Sequence, residues 1–329
     1  PMYFSNSYNW NFSLIAYFQM IPNYIFEKSI FAVRFVSVFF TLLGVIAASY
    51  SYKLMYGPKK VWLIVLFFSV SPGWFLHSRT AFEPLFMVSL FSITFYFYNK
   101  YLYENPKYIL VASFFGALTC YSYHAGQVAI GLIGVFLIGL DFKIHRSNYK
   151  FVIGALALFF FCMLPYIKMR FEHPEYVLDN LRAVNSILTQ NNSLFEKVWS
   201  ITKNWFYGLG PQFWLTPEIE DNVRHKMFGY SHMSWLMAPF FYIGLIKSLY
   251  SWRNSNNLRL LAILFVSPIN GAISNVIIHR VLLFYLPAAI ISTIGLTTSC
   301  DVINSYLSKR KNKYSFTQLQ ELLVVTVLL

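Results

Sequence analysis

The feature that most constrains this chain is a charge pattern of alternating sign laid over a string of apolar runs. The runs lie at 30–52, 61–76, 84–98, 108–122, 125–140, 151–167, 234–250, 258–276 and 280–299. Each is near or a little under the ~20 residues that a helix needs to cross a ~30 Å hydrocarbon layer. If the link carrying Lys53, Lys59 and Lys60 lies on one side, those carrying Lys100 and Lys107, then Lys143, Arg146 and Lys150, then Lys247, Arg253 and Arg259, then Lys309, Arg310, Lys311 and Lys313 share it. Fifteen of the 26 Lys and Arg fall there. Nine of the 13 acids and six of the seven His fall instead in the segments that alternation places opposite. Because Lys and Arg gather in cytoplasmic loops, the chain reads as an all-α, multi-pass transmembrane bundle of nine complete spans, its chemistry on the non-cytoplasmic face. In a prokaryote that membrane is the plasma membrane.

Composition agrees. The chain is 57% apolar and only 12% charged, about half the ~25% charge usual in a soluble domain. Its net charge of +13 invites a nucleic-acid partner, but the basic residues form short clusters between apolar runs rather than one exposed face, so that class is set aside. Cys120, Cys162 and Cys300 lie in or beside apolar runs without ligand spacing and read as packing residues. No Gly-rich phosphate loop, HExxH helix or GxSxG elbow is present.

Four regions follow: an external loop region at 1–29, a first part of the bundle at 30–167, an external segment at 168–233, and a second part of the bundle at 234–329. The chain starts at Pro1 without an initiator Met and stops at Leu329 inside a new apolar run too short to span, so it reads as cut at both ends, the bundle holding nine spans plus a partial one. Residues 1–29 lack the basic stretch and apolar core of a secretory signal. Within 168–233, Val177, Leu181, Val184 and Leu188 recur at helical spacing, as do Leu194, Val198, Ile201 and Trp205. They predict two amphipathic helices that rest on the membrane surface or cap the bundle.

The sharpest local constellation is Ser71-Pro72-Gly73-Trp74-Phe75-Leu76-His77-Ser78-Arg79-Thr80-Ala81-Phe82-Glu83-Pro84. A helix breaks at Pro72 and Gly73, a polar turn reaches the surface, and Glu83 with Pro84 opens the next span at the positive end of a helix dipole. An ionisable residue at a membrane boundary is a functional candidate by default, against the alternative of an Arg79–Glu83 pair that closes the helix start.

FAVRFVSVFFTLLGVIAA (Phe31 to Ala48), SPGWFLHSRTAFEP, YSYHAGQVAI (Tyr121 to Ile130), EDNVRHKMFGY (Glu220 to Tyr230) and NGAISNVIIHRVLLFYLP (Asn270 to Pro287) together resemble the membrane glycosyltransferases that use polyprenyl-phosphate sugars, such as the protein O-mannosyltransferases and the aminoarabinose transferases of lipid A. The resemblance covers most of residues 1–300 in order and spacing. It implies a GT-C type bundle, a sugar donor on a polyprenyl phosphate, and a lipid, glycan or protein acceptor. In that family a carboxylate in the first external loop is the base and a second acid opens a later span, the position Glu83 holds. An inverting transfer needs a carboxylate to take the acceptor's proton and a cation for the phosphate. Arg79, Arg224 and Arg280 are available for the phosphate, or as interfacial anchors. His77, Tyr123, His124, His225 and His279 would line the substrate site with Asp221. Six histidines, including His173 and His232, with Asp221 or Glu83, also admit a divalent cation.

The chain departs from the family's pattern at several places. Residues 1–29 hold only Glu27 where relatives carry an Asp-Glu pair, which places the catalytic pair upstream of Pro1. Asn9-Trp10-Asn11-Phe12-Ser13 stands where relatives often show Asp and Lys-Pro-Pro, and Gln127 where Arg is common. A transporter or flippase of lipid-linked sugars, or a non-catalytic relative, is the alternative; a transporter should carry ionisable residues at mid-membrane or paired broken helices.

Overall fold

The computed structural model describes residues 3–6, 9–12, 14–27, 29–217 and 221–309. The partial apolar run before Leu329, the cluster Arg310, Lys311 and Lys313, and Glu220 lie outside the described residues.

The chain opens with a short antiparallel hairpin, β1 (Tyr3–Asn6) and β2 (Asn9–Phe12), and a helix, α1 (Leu14–Ile25). Residues 3–6, 9–12 and 14–25 therefore form regular structure, where the sequence predicted a loop region. The bundle begins with α2 (Ile30–Tyr56), whose first turn is capped by the Ser29 hydroxyl accepting the Ala32 N–H at 3.1 Å. It continues through α3 (Trp62–Ser69), α4 (Pro72–His77), α5 (Glu83–Tyr103), α6 (Tyr108–Ser122), α7 (His124–Leu140), α8 (Phe142–Ser147) and α9 (Tyr149–Glu172). The 168–233 segment holds α10 (Tyr176–Ala183), α11 (Leu194–Leu209) and α12 (Pro211–Leu215). Then follow α13 (Ala238–Tyr250), α14 (Ser255–Val266), α15 (Ile269–Ala272), α16 (Ile278–Val281) and α17 (Tyr285–Lys309).

Every predicted span contains helix, and two are divided at a proline. The run at 61–76 divides at Pro72, which cannot continue the hydrogen-bond ladder, into α3 and α4. The run at 258–276 divides at Pro268 into α14 and α15. Among the described residues, three helical segments are long and apolar enough by themselves to cross a membrane: Ile30–Tyr56, Tyr149–Glu172 and Ile278–Tyr306. Of the two predicted surface helices, the first is shorter than expected. The first stops at Ala183, where Asn185 takes a left-handed backbone (φ 50°) and a 3₁₀ turn follows at Ile187–Thr189. The second is a full helix, α11, begun by a capping box in which Ser193 and Glu196 satisfy each other's backbone N–H groups.

Helix α5 and the start of α17 are the buried axis. Nearly every residue from Pro84 to Ile93, and from Val281 to Thr293, is shielded by neighbouring helices. α2 and α6 flank α5, while α13 lies against α17. The last pair touches backbone to backbone: a Cβ at Gly244 or Gly295 would overlap the carbonyl of Ile291 or Phe240. α9 is peripheral and turns Ile153, Phe160, Phe161 and Leu164 outward, as a lipid-facing helix does.

The links sort onto two ends as the charge pattern predicts. At the basic end Tyr56 donates to Asn257 Oδ1 (2.7 Å), Asn256 donates to the Met55 carbonyl (2.8 Å), and Arg259 pairs with Asp141. The other end gathers the α4–α5 and α6–α7 links, the 221–232 segment and the α15–α16 turn, and the remaining chemistry lies there.

Candidate functional site

Four stretches far apart in sequence meet at this second end. The Pro72 break shortens α4 to six residues, so His77 lies at its end with Nδ1 2.7 Å from the Gly73 carbonyl. His77 Nε2 faces His225 Nδ1 at 3.2 Å with the rings stacked 5.3 Å apart. His225 lies in the 3₁₀ turn Val223–His225, and its ring packs 4.4 Å from that of His279 on α16 and 4.4 Å from that of Phe82. Tyr123, the extended residue between α6 and α7, meets the His279 ring at 6.5 Å. Its hydroxyl is hydrogen-bonded to the Arg280 side chain and lies within electrostatic reach of the Glu83 carboxylate. Arg280 is itself steadied by donating to Ser274 Oγ at 2.7 Å and to the Asn275 carbonyl at 3.4 Å.

Beneath this layer lies Asp221. Its Oδ2 accepts the Ile278 N–H at 2.8 Å and is 3.2 Å from His232 Nε2; its Oδ1 accepts the Asn222 N–H at 2.6 Å. The side chain has no exposed surface. His232 sits among Phe213, Trp214 and Tyr285, and its carbonyl accepts both the Tyr285 hydroxyl (2.7 Å) and the Gly73 N–H (3.1 Å). Gly73 is required there, because a Cβ would overlap the Tyr285 oxygen.

The electrostatics follow from burial. Burial lowers His77 to about 4, with the Gly73 carbonyl opposing and the neighbouring histidines adding to the effect. Burial also lowers His225, with Asp221 pulling the other way. Burial alone would raise the Asp221 carboxyl, but the His232 imidazole 3.2 Å away and hydrogen bonds from the Ile278 and Asn222 amides outweigh it and hold it below its usual value. Burial pushes the Tyr123 hydroxyl up to about 12, against Arg280 and together with Glu83. The arrangement thus brings one guanidinium and one phenol together with a carboxylate in electrostatic reach, backed by imidazoles that stay neutral in neutral solution.

Of the residues picked out by sequence, Glu83, His77, Tyr123, His225, His279 and Arg280 converge, and Asp221 lies directly beneath them. His124 adjoins the cluster through Tyr123 and faces the Tyr176 hydroxyl at 3.4 Å. Arg79 and Arg224 stand apart. Arg79 is exposed and lies over the Phe75 ring at 3.8 Å rather than pairing with Glu83, and Arg224 is an exposed member of the 3₁₀ turn whose backbone N–H is bound by Asn222. Among the described residues no group of three or more His, Cys, Asp or Glu is arranged to hold a metal ion; His77 and His225 meet as stacked rings and His279 packs tilted against His225.

Sequence reasoning did not find the part played by His232 as an anchor, nor Ser274 as the support of Arg280. It also missed a second polar cluster at the basic end. There Arg259 grips Asp141 with Nε–Oδ2 3.0 Å and Nη2–Oδ1 2.5 Å, while Tyr98 donates to Asp141 (2.7 Å). Both charged side chains are about 4% exposed. The available signal was an Arg set in the apolar run of α14 and an Asp closing that of α7.

Residues 13–167, just under half of the chain, match the dolichyl-phosphate-mannose-protein mannosyltransferase family. Among solved structures, ArnT from Cupriavidus metallidurans bound to undecaprenyl phosphate superimposes with a TM-score of 0.61 at 11% identity, covering 87% of this chain and 49% of that one. The Archaeoglobus fulgidus oligosaccharyltransferase AglB, in complex with an inhibitory peptide and a dolichol-phosphate, does so with a TM-score of 0.59 at 12% identity, covering 95% of this chain and 45% of that one. No curated relative matches. The chain therefore shares the fold of ArnT and AglB, and residues 13–167 carry the family's sequence pattern. The chain spans about half the length of the structures it resembles.

Proposed function

We propose that this chain is the membrane part of a glycosyltransferase that moves a sugar from a polyprenyl-phosphate carrier to a lipid, glycan or protein acceptor at the non-cytoplasmic face, with inversion. The observation that carries the reading is the convergence of Glu83, Tyr123 and Arg280 at one end of a GT-C bundle, the end opposite the basic links. Arg280 matches a lipid phosphate, since a guanidinium binds phosphate oxygens in a forked geometry. Tyr123 offers a hydroxyl that remains protonated, and so a donor, at neutral pH. Glu83 is the carboxylate we assign to removal of the acceptor's proton.

The test is transfer of labelled sugar from a polyprenyl-phosphate donor in native membranes. Glu83→Gln keeps shape and removes charge, so the protein still inserts while transfer falls by ~10²–10⁴-fold if the carboxylate acts as base. Arg280→Ala should weaken use of the donor more than that of the acceptor. Full activity in both variants would remove both assignments.

A further inference from the structure

Asp221 is the one acid of the cluster that cannot meet a substrate, because its side chain has no exposed surface and both oxygens are already bound. Burying a carboxylate is costly unless donors replace its water, so the arrangement must be maintained by what the carboxylate holds. It holds the first N–H of the Ile278–Val281 turn, one of the amides a helical turn leaves without an internal partner. One residue on is His279, and two on is Arg280. The neighbouring His232, 3.2 Å from the same oxygen, uses its carbonyl to fix Gly73 on α4 and Tyr285 at the start of α17. The elements that carry His77, His279 and Arg280 are thus tied to the Asp221–His232 couple.

We propose that Asp221 is a positioning residue: its buried carboxylate sets the Ile278–Val281 turn so that Arg280 and His279 face Tyr123 and Glu83, without touching substrate. As a consequence for ligand, this rests on the lipid-phosphate reading of Arg280; as a statement about the turn, it does not. An apolar or shorter side chain at 221 releases the turn, and Arg280 loses its direction although its own contact with Ser274 survives.

Two measurements on the whole protein in nanodiscs test this. Hydrogen exchange reads the turn directly: in Asp221→Ala the Ile278–Arg280 amides should exchange faster while those of α5 do not change, and Asp221→Asn, which keeps an acceptor oxygen, should fall between. Equilibrium binding of undecaprenyl phosphate reads the consequence. Asp221→Ala should weaken it roughly tenfold, the scale of one misplaced hydrogen bond to a charged group, and should add little in an Arg280→Ala background. Unchanged exchange at Ile278–Arg280, or an equal loss of affinity with and without Arg280, overturns the positioning role. If the wild type shows no saturable binding, or Arg280→Ala binds as well as the wild type, the lipid-phosphate reading fails and the exchange result alone decides the role of Asp221.

Discussion

Arg259→Met provides a severe test of how the bundle is held at its basic end. The guanidinium makes four hydrogen bonds: two to Asp141, one to the Tyr103 hydroxyl at 3.2 Å and one to Asn256 Oδ1 at 2.6 Å. Removing it leaves the Asp141 carboxylate 4% exposed with only Tyr98 as donor. Breaking a buried pair from one side strands a charge and costs about 3–5 kcal/mol. The internal control is Lys100, whose 3.0 Å pair with Glu104 has partners 17% and 43% exposed; such a pair contributes about 0.2–1 kcal/mol. Unfolding free energy measured by steric trapping in bicelles should therefore fall several times further for Arg259→Met than for Lys100→Met. The double variant Asp141→Asn with Arg259→Met strands no charge, so it should be no less stable than Arg259→Met alone. A loss below about 1 kcal/mol for Arg259→Met, or strictly additive losses in the double variant, would refute the argument, because additivity means the two side chains do not act as a pair.

Two further outcomes follow from packing and titration. Gly295→Ala forces a methyl into the Phe240 carbonyl on α13; backbone cannot yield as a side chain would, so stability should drop by about 3 kcal/mol or more, the upper end for overpacking, and an unchanged melting temperature would show that the helices can separate freely. Stability should also decline below pH 6.5. Burial lowers His77 to about 4 and His225 in the same direction, so the unfolded chain takes up protons that the folded one refuses, and stability present above the ordinary His value is lost as pH falls toward 4. The lowered Asp221 carboxyl has the same sign but acts only when pH passes below the ordinary carboxylate value. Melting curves from pH 7 to pH 4 check this, and His77→Phe should flatten the decline.

The spans were legible because a lipid-facing helix must be apolar over most of its length, and composition alone records that. The ends to which the links belong were legible for the same kind of reason: Lys and Arg clusters sort by side, and the contacts of Met55, Tyr56, Asn256 and Asn257 bring those links together. Glu83, His77 and Arg280 could be picked out because each is an ionisable residue at the edge of an apolar run. The hairpin at Tyr3–Asn6 and Asn9–Phe12 could not, since each strand is only four residues long and the first, Tyr3-Phe4-Ser5-Asn6, does not alternate. The role of Asp221 was hidden too: as an acid in a polar segment it looked like a substrate or metal ligand. Only its distance to an amide 57 residues away separates a group that supports a site from one that touches a ligand.

The two polar clusters differ in a way that bears on function. At the basic end Arg259 and Asp141 are bound on all sides, and such a network rigidifies. At the opposite end the buried Nδ1 of His279 has no hydrogen-bond partner among the described residues, although leaving a buried polar atom unpaired costs about 1–3 kcal/mol. Stability alone would favour a residue without that nitrogen. Its position beside Arg280 and against the His225 and Tyr123 rings supports a site whose polar groups are completed by a ligand, while the satisfied network at the far end holds the helices in register around it.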